Sequence, residues 1–363
     1  MKVGIVTLIH GRSIGGFLQA YALSTKLNNL GYEAEVIDFK IPTSSRFVKL
    51  YLSFVVAVKE FFRNPLSTLV KTFKRLSKSR QVEGNKNDVE VFHDFFYFKT
   101  PHSSRRYDAD TFYSVPLEYD VYVTGSDQVW NFAMTSRLDV YFLQFVRDRP
   151  KVAYAASFGF DTLPFFLKNK YRRLISCIDC VSVREKSARR IVKQISNKPV
   201  CNVLDPTLLL EMEEWLRVSK KVDLPQRNYI LFYDLIGSEW AKEKVSGLAT
   251  VLCCDVITPS GCSPDEFLTL MANASYVVTS SFHGVAFAIN FRRRFSAFCR
   301  PSKATNARIE DLLSDLGLSS RLVYEGEGDV CPQCSIDYDK VDERLRSMRN
   351  SSVEYIKNAL SLN

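Results

Sequence analysis

Short apolar runs and longer amphipathic ones alternate along the first forty residues. Residues 3–8 form a β-branched run, a Gly-containing loop follows over 11–16, and Leu18, Tyr21, Ala22, Leu27 and Leu30 then recur at helical spacing up to Gly31. Residues 34–39 are predicted to be the next strand. A strand–loop–helix–strand unit of this length implies a parallel sheet of the mononucleotide-binding kind. The rhythm returns with strands over 121–123, 152–156 and 180–183, and a helix around 168–175. A hinge is expected between about Asp205 and Pro225, where two prolines bracket a Trp-containing helix. A second series then begins, with strands over 228–232, 251–257 and 276–279 and a helix over 264–272 behind a Ser-Pro cap. The tail from about Asp337 reads as a closing helix.

Residues 41–100 interrupt the alternation. Residues 47–62 are apolar on most faces with Lys and Arg around them, Pro65 breaks that helix, and a second basic-apolar helix is expected over 66–76. The pattern therefore predicts an N-terminal α/β domain over 1–210 with a basic helical insert at about 41–100, a C-terminal α/β domain over 225–335, and a C-terminal helix over 336–363. A length of 363 residues suits two domains, and 46% hydrophobic with 25% charged residues is ordinary globular usage.

Charge sharpens the picture of the insert. The net charge is +9, and residues 46–80 hold nine basic residues against Glu60 alone, leaving the rest of the chain near neutral. No zinc-finger, RNP-like or helix-turn-helix signature accompanies that charge, so nucleic acid is not the expected partner. Two readings of 46–80 stand side by side. It rests on an anionic inner membrane leaflet with Phe47, Leu50, Phe54 and Phe61 in the interface, or it packs on the domain with a solvated basic face. No apolar stretch reaches the roughly 20 residues that span a bilayer, and the first residues read as a buried strand and not as a signal peptide. A cytoplasmic protein, at most peripheral on the inner face of the membrane, is expected. Nine scattered cysteines then read as free thiols. Cys177/Cys180 and Cys331/Cys334 share CxxC spacing but lie far apart, and the first pair reads as the approach to a buried strand, so no metal is expected.

Candidate chemistry concentrates at apparent strand ends. His283 follows the run that ends at Ser280–Ser281, with a helix starting near Gly284, where open α/β sheets bind ligands. An imidazole there serves as proton donor or base near neutral pH; the plainer reading is a capping turn with a satisfied histidine. Arg184, just past another strand, can hold a carboxylate or phosphate through a fork of hydrogen bonds, or it makes an ordinary surface ion pair with Glu185. Gly125-Ser126-Asp127-Gln128-Val129-Trp130-Asn131 is denser in polar and aromatic groups than a connection needs. Gly15-Gly16 lacks the full dinucleotide fingerprint.

Six segments in order change the weight of these signals: SIGGFLQAYAL (13–23), YVTGSDQVWN (122–131), VAYAASFG (152–159), VSVREKSA (181–188), VLDPTLLL (203–210) and TSSFHGVAFAI (279–289). Together they resemble successive blocks of the polysaccharide pyruvyl transferase family, over residues 1 to about 320. The resemblance implies two Rossmann-like α/β domains in a GT-B-type arrangement with the site in the cleft between them. It also implies transfer of the enolpyruvyl unit of phosphoenolpyruvate to a sugar, commonly as a cyclic ketal on two hydroxyls, with no cofactor. The acceptor would belong to a capsular or cell-envelope polysaccharide, or to an oligosaccharide precursor on a polyprenyl diphosphate. His283 would be the catalytic acid or base and Asp127 the hydroxyl's base. Arg184 and Arg308, with Ser281 and Gly284, would bind the donor, and Gly15, Gln19, Ser126, Gln128 and Trp130 the acceptor. The chain departs from the family where Ser281 replaces an Arg two residues before the histidine, a cation that Arg308 or Arg292 would then supply. It departs again where Ser13-Ile14-Gly15-Gly16 replaces Asn-Tyr-Gly-Ala. Two alternatives remain: a GT-B glycosyltransferase using a sugar nucleotide, and a catalytically degenerate scaffold.

Overall fold

A computed structural model describes residues 1–9, 13–39, 87–108, 111–135, 137–301, 306–328, 330, 332 and 334–361. The basic stretch 46–80 with its two expected helices, His10 and Cys331 lie outside the described residues. Two all-parallel sheets organise the rest. The first has order β2-β1-β3-β4-β5-β6, from Lys2–Val6 (β1), Glu33–Val36 (β2), Val121–Thr124 (β3), Lys151–Ala156 (β4), Cys180–Val183 (β5) and Val200–Asn202 (β6). The second has order β11-β10-β9-β7-β8, from Tyr229–Tyr233 (β7), Asp255–Ile257 (β8), Tyr276–Thr279 (β9), Phe295–Cys299 (β10) and Leu322–Tyr324 (β11). The central strands β3, β9 and β10 are buried at every position, as strands covered on both faces must be. These are the two Rossmann-like α/β halves of the expected GT-B-type arrangement.

Among the described residues ten longer helices surround the sheets: Ile14–Asn29 (α1), Asn87–Lys99 (α2), Lys168–Ser176 (α3), Lys186–Ile195 (α4), Met212–Val218 (α5), Glu239–Leu252 (α6), Pro264–Asn273 (α7), Phe282–Asn290 (α8), Ala307–Leu316 (α9) and Tyr338–Leu360 (α10). Their ends follow local chemistry. Ser13 accepts the Gly16 amide to start α1, and Gly31 at φ 90° leaves its far end. Ser263 and Glu266 form a reciprocal capping box at α7 with Pro264 in the first turn. One expected strand is shorter than its apolar run. Val251 and Leu252 finish α6, Cys253 turns left-handed at φ 51°, and only Asp255–Ile257 pairs with β7. Helix α2 buries Phe92, Phe95 and Phe96, with Phe92 5.5 Å and Phe96 6.3 Å from the Phe17 ring of α1.

One apolar core runs through both halves, from Val3 and Phe17 through Trp215 to Phe287 and Ile309. Helix α10 ties them. Tyr355 donates to the Ala153 carbonyl of β4 at 2.9 Å, Ser352 accepts the Leu204 amide, and Arg349 reaches the Leu208 carbonyl at 2.6 Å and Asn290 of α8 at 3.0 Å. Among the described residues no helix is long and apolar enough to cross a membrane.

Candidate active site

Each sheet reverses its strand order once, between β1 and β3 and between β7 and β9. Loops leaving the carboxyl ends part there, which is where open α/β sheets leave a crevice. His283, the second residue of α8, comes from the second reversal and lies against Gly15 from the first. A Cβ on Gly15 would come within 1.9 Å of His283 Nδ1, so only glycine allows that approach. Gly284 has the same duty toward its own strand, since a Cβ there would meet Thr279 Oγ1 at 2.2 Å. Ser281 is the N-cap of α8: its Oγ accepts the Gly284 amide at 3.3 Å and its amide donates to Thr279 Oγ1 at 3.0 Å.

The centre of the crevice is an ionic cluster around Asp205, which ends the loop after β6. Oδ1 accepts from the Thr207 amide at 3.0 Å and hydroxyl at 2.7 Å. Oδ2 accepts from Ser126 Oγ at 2.9 Å and Arg184 Nη1 at 2.6 Å, with His283 Nε2 at 3.7 Å. That last spacing is too long for a full hydrogen bond but close enough to favour the carboxylate. Arg184 has 2% of its side chain exposed. Its Nη2 lies 3.6 Å from Asp127, its Nε 3.7 Å from Glu185, and its guanidinium sits 4.6 Å over the Phe282 ring. Arg308, in the first turn of α9, feels Arg184, Glu185, Asp127 and Asp205.

Burial and charge pull these groups in different directions. Burial works to raise the Asp205 carboxyl, but His283 and Arg184 outweigh it and hold it well below the usual carboxylate range. Burial raises Glu185 above its ordinary value against the opposing charges of Arg184 and Arg308. Burial, then repulsion from Arg184, lowers Arg308. Tyr233, at the end of β7, is pushed up to about 12 by burial, against a bond from Ser281 and helped by Asp127. Despite this crowding, Arg184 Nε and Nη2, Arg308 Nε and His283 Nε2 have no hydrogen-bond partner among the described residues. Buried donors left open in this way are costly unless something else occupies them. A cavity of about 380 Å³ opens onto Arg184, Asp205, Phe282 and Arg308, with Ser347 and Met348 of α10 on its far wall. Backbone strain gathers here too. Asp127 at φ 68° and Ala155 at φ 51° are left-handed without being glycine, and the β4–β5 register shifts between Ala153 and Ala156.

The residues singled out from sequence are not all at the crevice. His283, Asp127, Arg184, Arg308, Ser126, Ser281, Gly284 and Gly15 converge on it. Gln19 is buried beneath it, donating to Thr7 Oγ1 at 2.8 Å and the Gly16 carbonyl at 2.9 Å, and Thr7 in turn holds the Ser126 carbonyl. Gln128 accepts from Asn131 at 2.7 Å and lies against Gly159, whose φ is 70°. Trp130 is wholly buried, stacked on Phe142 at 4.7 Å with its indole N–H on the Tyr141 carbonyl. It has no surface to offer an acceptor. Arg292 cannot supply the missing cation, because it pairs with Asp339 and Asp342 of α10 over the Tyr338 ring. The surface ion pair entertained for Arg184 is a buried one, since Glu185 is 2% exposed. In the sequence Asp205 marks the edge of the hinge and falls within VLDPTLLL without a role, and nothing singles out Tyr233. The Asp-Pro within VLDPTLLL was the available signal for Asp205. Cys177 and Cys180 are half-buried free thiols, as expected, whereas Cys334 is disulfide-bonded, against the expectation of free thiols throughout.

Two parallel sheets presenting anion-seeking groups across facing carboxyl ends define an α/β protein of GT-B type, with the candidate site between the halves. The chain belongs to the polysaccharide pyruvyl transferase family, whose model matches residues 14–298. No curated protein matches it by sequence. Similar solved structures include the UDP-GlcNAc 2-epimerase of Methanocaldococcus jannaschii in complex with UDP-GlcNAc and UDP, at 12% identity over 100% of both chains with a TM-score of 0.49. They include also the UDP-GlcNAc 2-epimerase of Neisseria meningitidis bound to UDP-GlcNAc, at 10% identity over 99% of this chain and 94% of that one, TM-score 0.44. The E. coli heptosyltransferase WaaC with ADP-2-deoxy-2-fluoro heptose is similar at 10% identity over 99% of each chain, TM-score 0.37. Family membership rests on the sequence match and not on these.

Proposed function

We propose that the protein transfers the pyruvyl unit of phosphoenolpyruvate to two hydroxyls of a saccharide acceptor, closing a ketal. The observation behind this reading is the set of buried polar atoms without a hydrogen-bond partner among the described residues, Arg184 Nε and Nη2, Arg308 Nε and His283 Nε2, gathered at one crevice. A small molecule with both a carboxylate and a phosphate suits the two guanidinium groups of Arg184 and Arg308, which act on each other and share Asp205 and Glu185 as neighbours. Arg308 then supplies the second cation where Ser281 caps a helix. In the reaction His283 delivers a proton to the donor's methylene carbon, and positive character develops at the neighbouring carbon. One sugar hydroxyl attacks that carbon and gives its proton to Asp127. Phosphate leaves with the C–O bond electrons, and the second hydroxyl closes the ketal and gives its proton to His283, which restores the acid, while Asp127 passes its proton to the departing phosphate. Arg184 and Arg308 hold the two anionic ends through these steps. No cofactor enters the scheme.

The sugar-nucleotide alternative fits less well. It asks for free amides at the carboxyl end of the second sheet. There Asp234 accepts the Ile236, Gly237 and Ser238 amides, and Glu325 takes the Ser238 hydroxyl that caps α6. The deciding assay is phosphate release from phosphoenolpyruvate with a panel of saccharide acceptors, including polyprenyl-diphosphate-linked ones, for wild type, His283→Ala and Arg184→Ala. Acceptor-dependent release, lost in both variants, is expected. Absence of release together with absence of donor binding would remove the reading and return the choice to the sugar-nucleotide enzyme or the scaffold.

A further inference from the structure

The chain has a second concentration of positive charge, outside the insert and apart from the site. Between Asp161 and Lys198 the sequence holds ten basic residues and three acidic ones, and of the basic ones Arg184 belongs to the site and Lys186 pairs with Asp315. Two of those acids are already engaged: Glu185 is buried beside Arg184, and Asp179 accepts the Lys151 amide at 2.8 Å. Helix α3 has four basic residues and no acid in its nine. Lys170, Arg172 and Arg173 are exposed on it, while Tyr171 and Ile175 face inward. Arg172 donates to the Ile195 carbonyl at 3.1 Å, which joins the exposed side of α3 to the end of α4 that bears exposed Lys193.

The turn that leads into α3 is apolar and open. Phe165 is 83% and Phe166 49% exposed, their rings 5.6 Å apart and nearly perpendicular, so they cover little of each other. Two adjacent exposed phenylalanines gain nothing in water, and their packing on the fold is minimal. This turn lies in the segment that leaves the carboxyl end of β4, the side of the sheet on which the crevice opens.

We propose that the turn Phe165–Leu167 and the exposed faces of α3 and α4 form a docking surface for an anionic lipid bilayer. Phe165 and Phe166 enter the headgroup–acyl boundary, and Lys170, Arg172, Arg173 and Lys193 sit against the anionic headgroups. Aromatic residues beside a basic face are what such an interface selects, and a purely protein partner would not require this one-signed charge. The consequence is orientation: the side of the first half that carries α3 and α4 rests on the membrane, with the Phe165–Leu167 turn toward the crevice end of the sheet. The surface does not depend on the identity of the donor.

The test is co-sedimentation of the full chain with vesicles of zwitterionic lipid alone and with about one-third anionic lipid, at low and at roughly physiological salt. Phe165→Ser/Phe166→Ser and Lys170→Glu/Arg173→Glu are compared with wild type, with circular dichroism verifying the fold. Wild type is expected to bind only the anionic vesicles, and each double variant to lose about tenfold or more in partitioning. Partitioning unchanged in both variants would overturn the proposal, leaving any membrane contact to other segments such as 46–80. Equal binding to neutral vesicles would overturn it on charge. A wild-type dimer in sedimentation velocity that the phenylalanine variant dissolves, with vesicle binding intact, would instead make this face a contact between copies.

Discussion

Asp234 and Asp205 each lie just past a strand, β7 within the second sheet and β6 at the edge of the first, and their surroundings differ. Asp234 takes three successive amides of its own turn and the Ser280 hydroxyl at 2.5 Å, so the end of β7 is closed on itself. Asp205 is satisfied as well, but the groups that satisfy it are not. Arg184 spends one nitrogen on Asp205 and leaves Nε and Nη2 open, and His283 stops 3.7 Å short. Strain separates the two ends in the same way, with Asp127 and Ala155 left-handed beside the first sheet. A region that exists only for stability would close its polar groups, as the end of β7 does. The open one holds capacity in reserve for a ligand.

Removing the central cation tests this contrast most severely. Arg184→Met leaves Asp205, Asp127 and Glu185 together without their common partner, and a buried charge stripped of its counter-ion costs about 3–5 kcal/mol. A matching fall in the midpoint of chemical denaturation is expected, with transfer abolished; a variant as stable as wild type would show that the cluster is not the ionic unit described. Gly15→Ala acts at the seam between the halves. Its added methyl would force His283 from its place, and kcat is expected to fall about a hundredfold from misplacement of one catalytic group, with a much smaller change in donor KM. An unchanged kcat would separate His283 from the chemistry.

The mildest effect comes from Glu185→Gln, and it sharpens the comparison through pH. Burial raises the folded-state value of Glu185 above its unfolded one. Its contribution to stability is therefore complete below about pH 4.3, the unfolded value, and is lost as pH rises through the higher folded value. Glutamine keeps the acceptor used by Ser157 Oγ at 2.8 Å and carries no charge. The variant is expected to equal or exceed wild type by up to about 1 kcal/mol at neutral pH and to flatten that part of the stability profile. Denaturant titrations between pH 4 and 7 measure it, and a loss of stability at pH 7 would mean that the carboxylate is needed in charged form.

Much of the fold was legible because it rests on local periodicity. Buried parallel strands read as short β-branched runs, helices as 3.6-residue repeats, and caps such as Ser263-Pro264 mark their own positions. Where local signals compete, the reading slipped. The apolar stretch over 251–257 spans a helix end and a strand, and the left-handed Cys253 that divides them has no glycine to announce it. Trp130 sits in a polar-looking block yet packs wholly into the core, because burial depends on what lies across from a residue.

By itself, the sequence determined the α/β alternation, the family, and the candidacy of His283, Arg184 and Asp127, since each of these is a property of short segments in order. The tertiary structure alone decided what those residues meet. Asp205 lies 21 positions from Arg184 and 78 from His283, and Gly15 lies at the other end of the chain from the imidazole it admits. Contacts of that range are set by how two sheets face each other across a shared core. Whether Glu185 is a solvated surface partner or a buried acid that resists ionisation depends on that packing and on nothing in its neighbours along the chain.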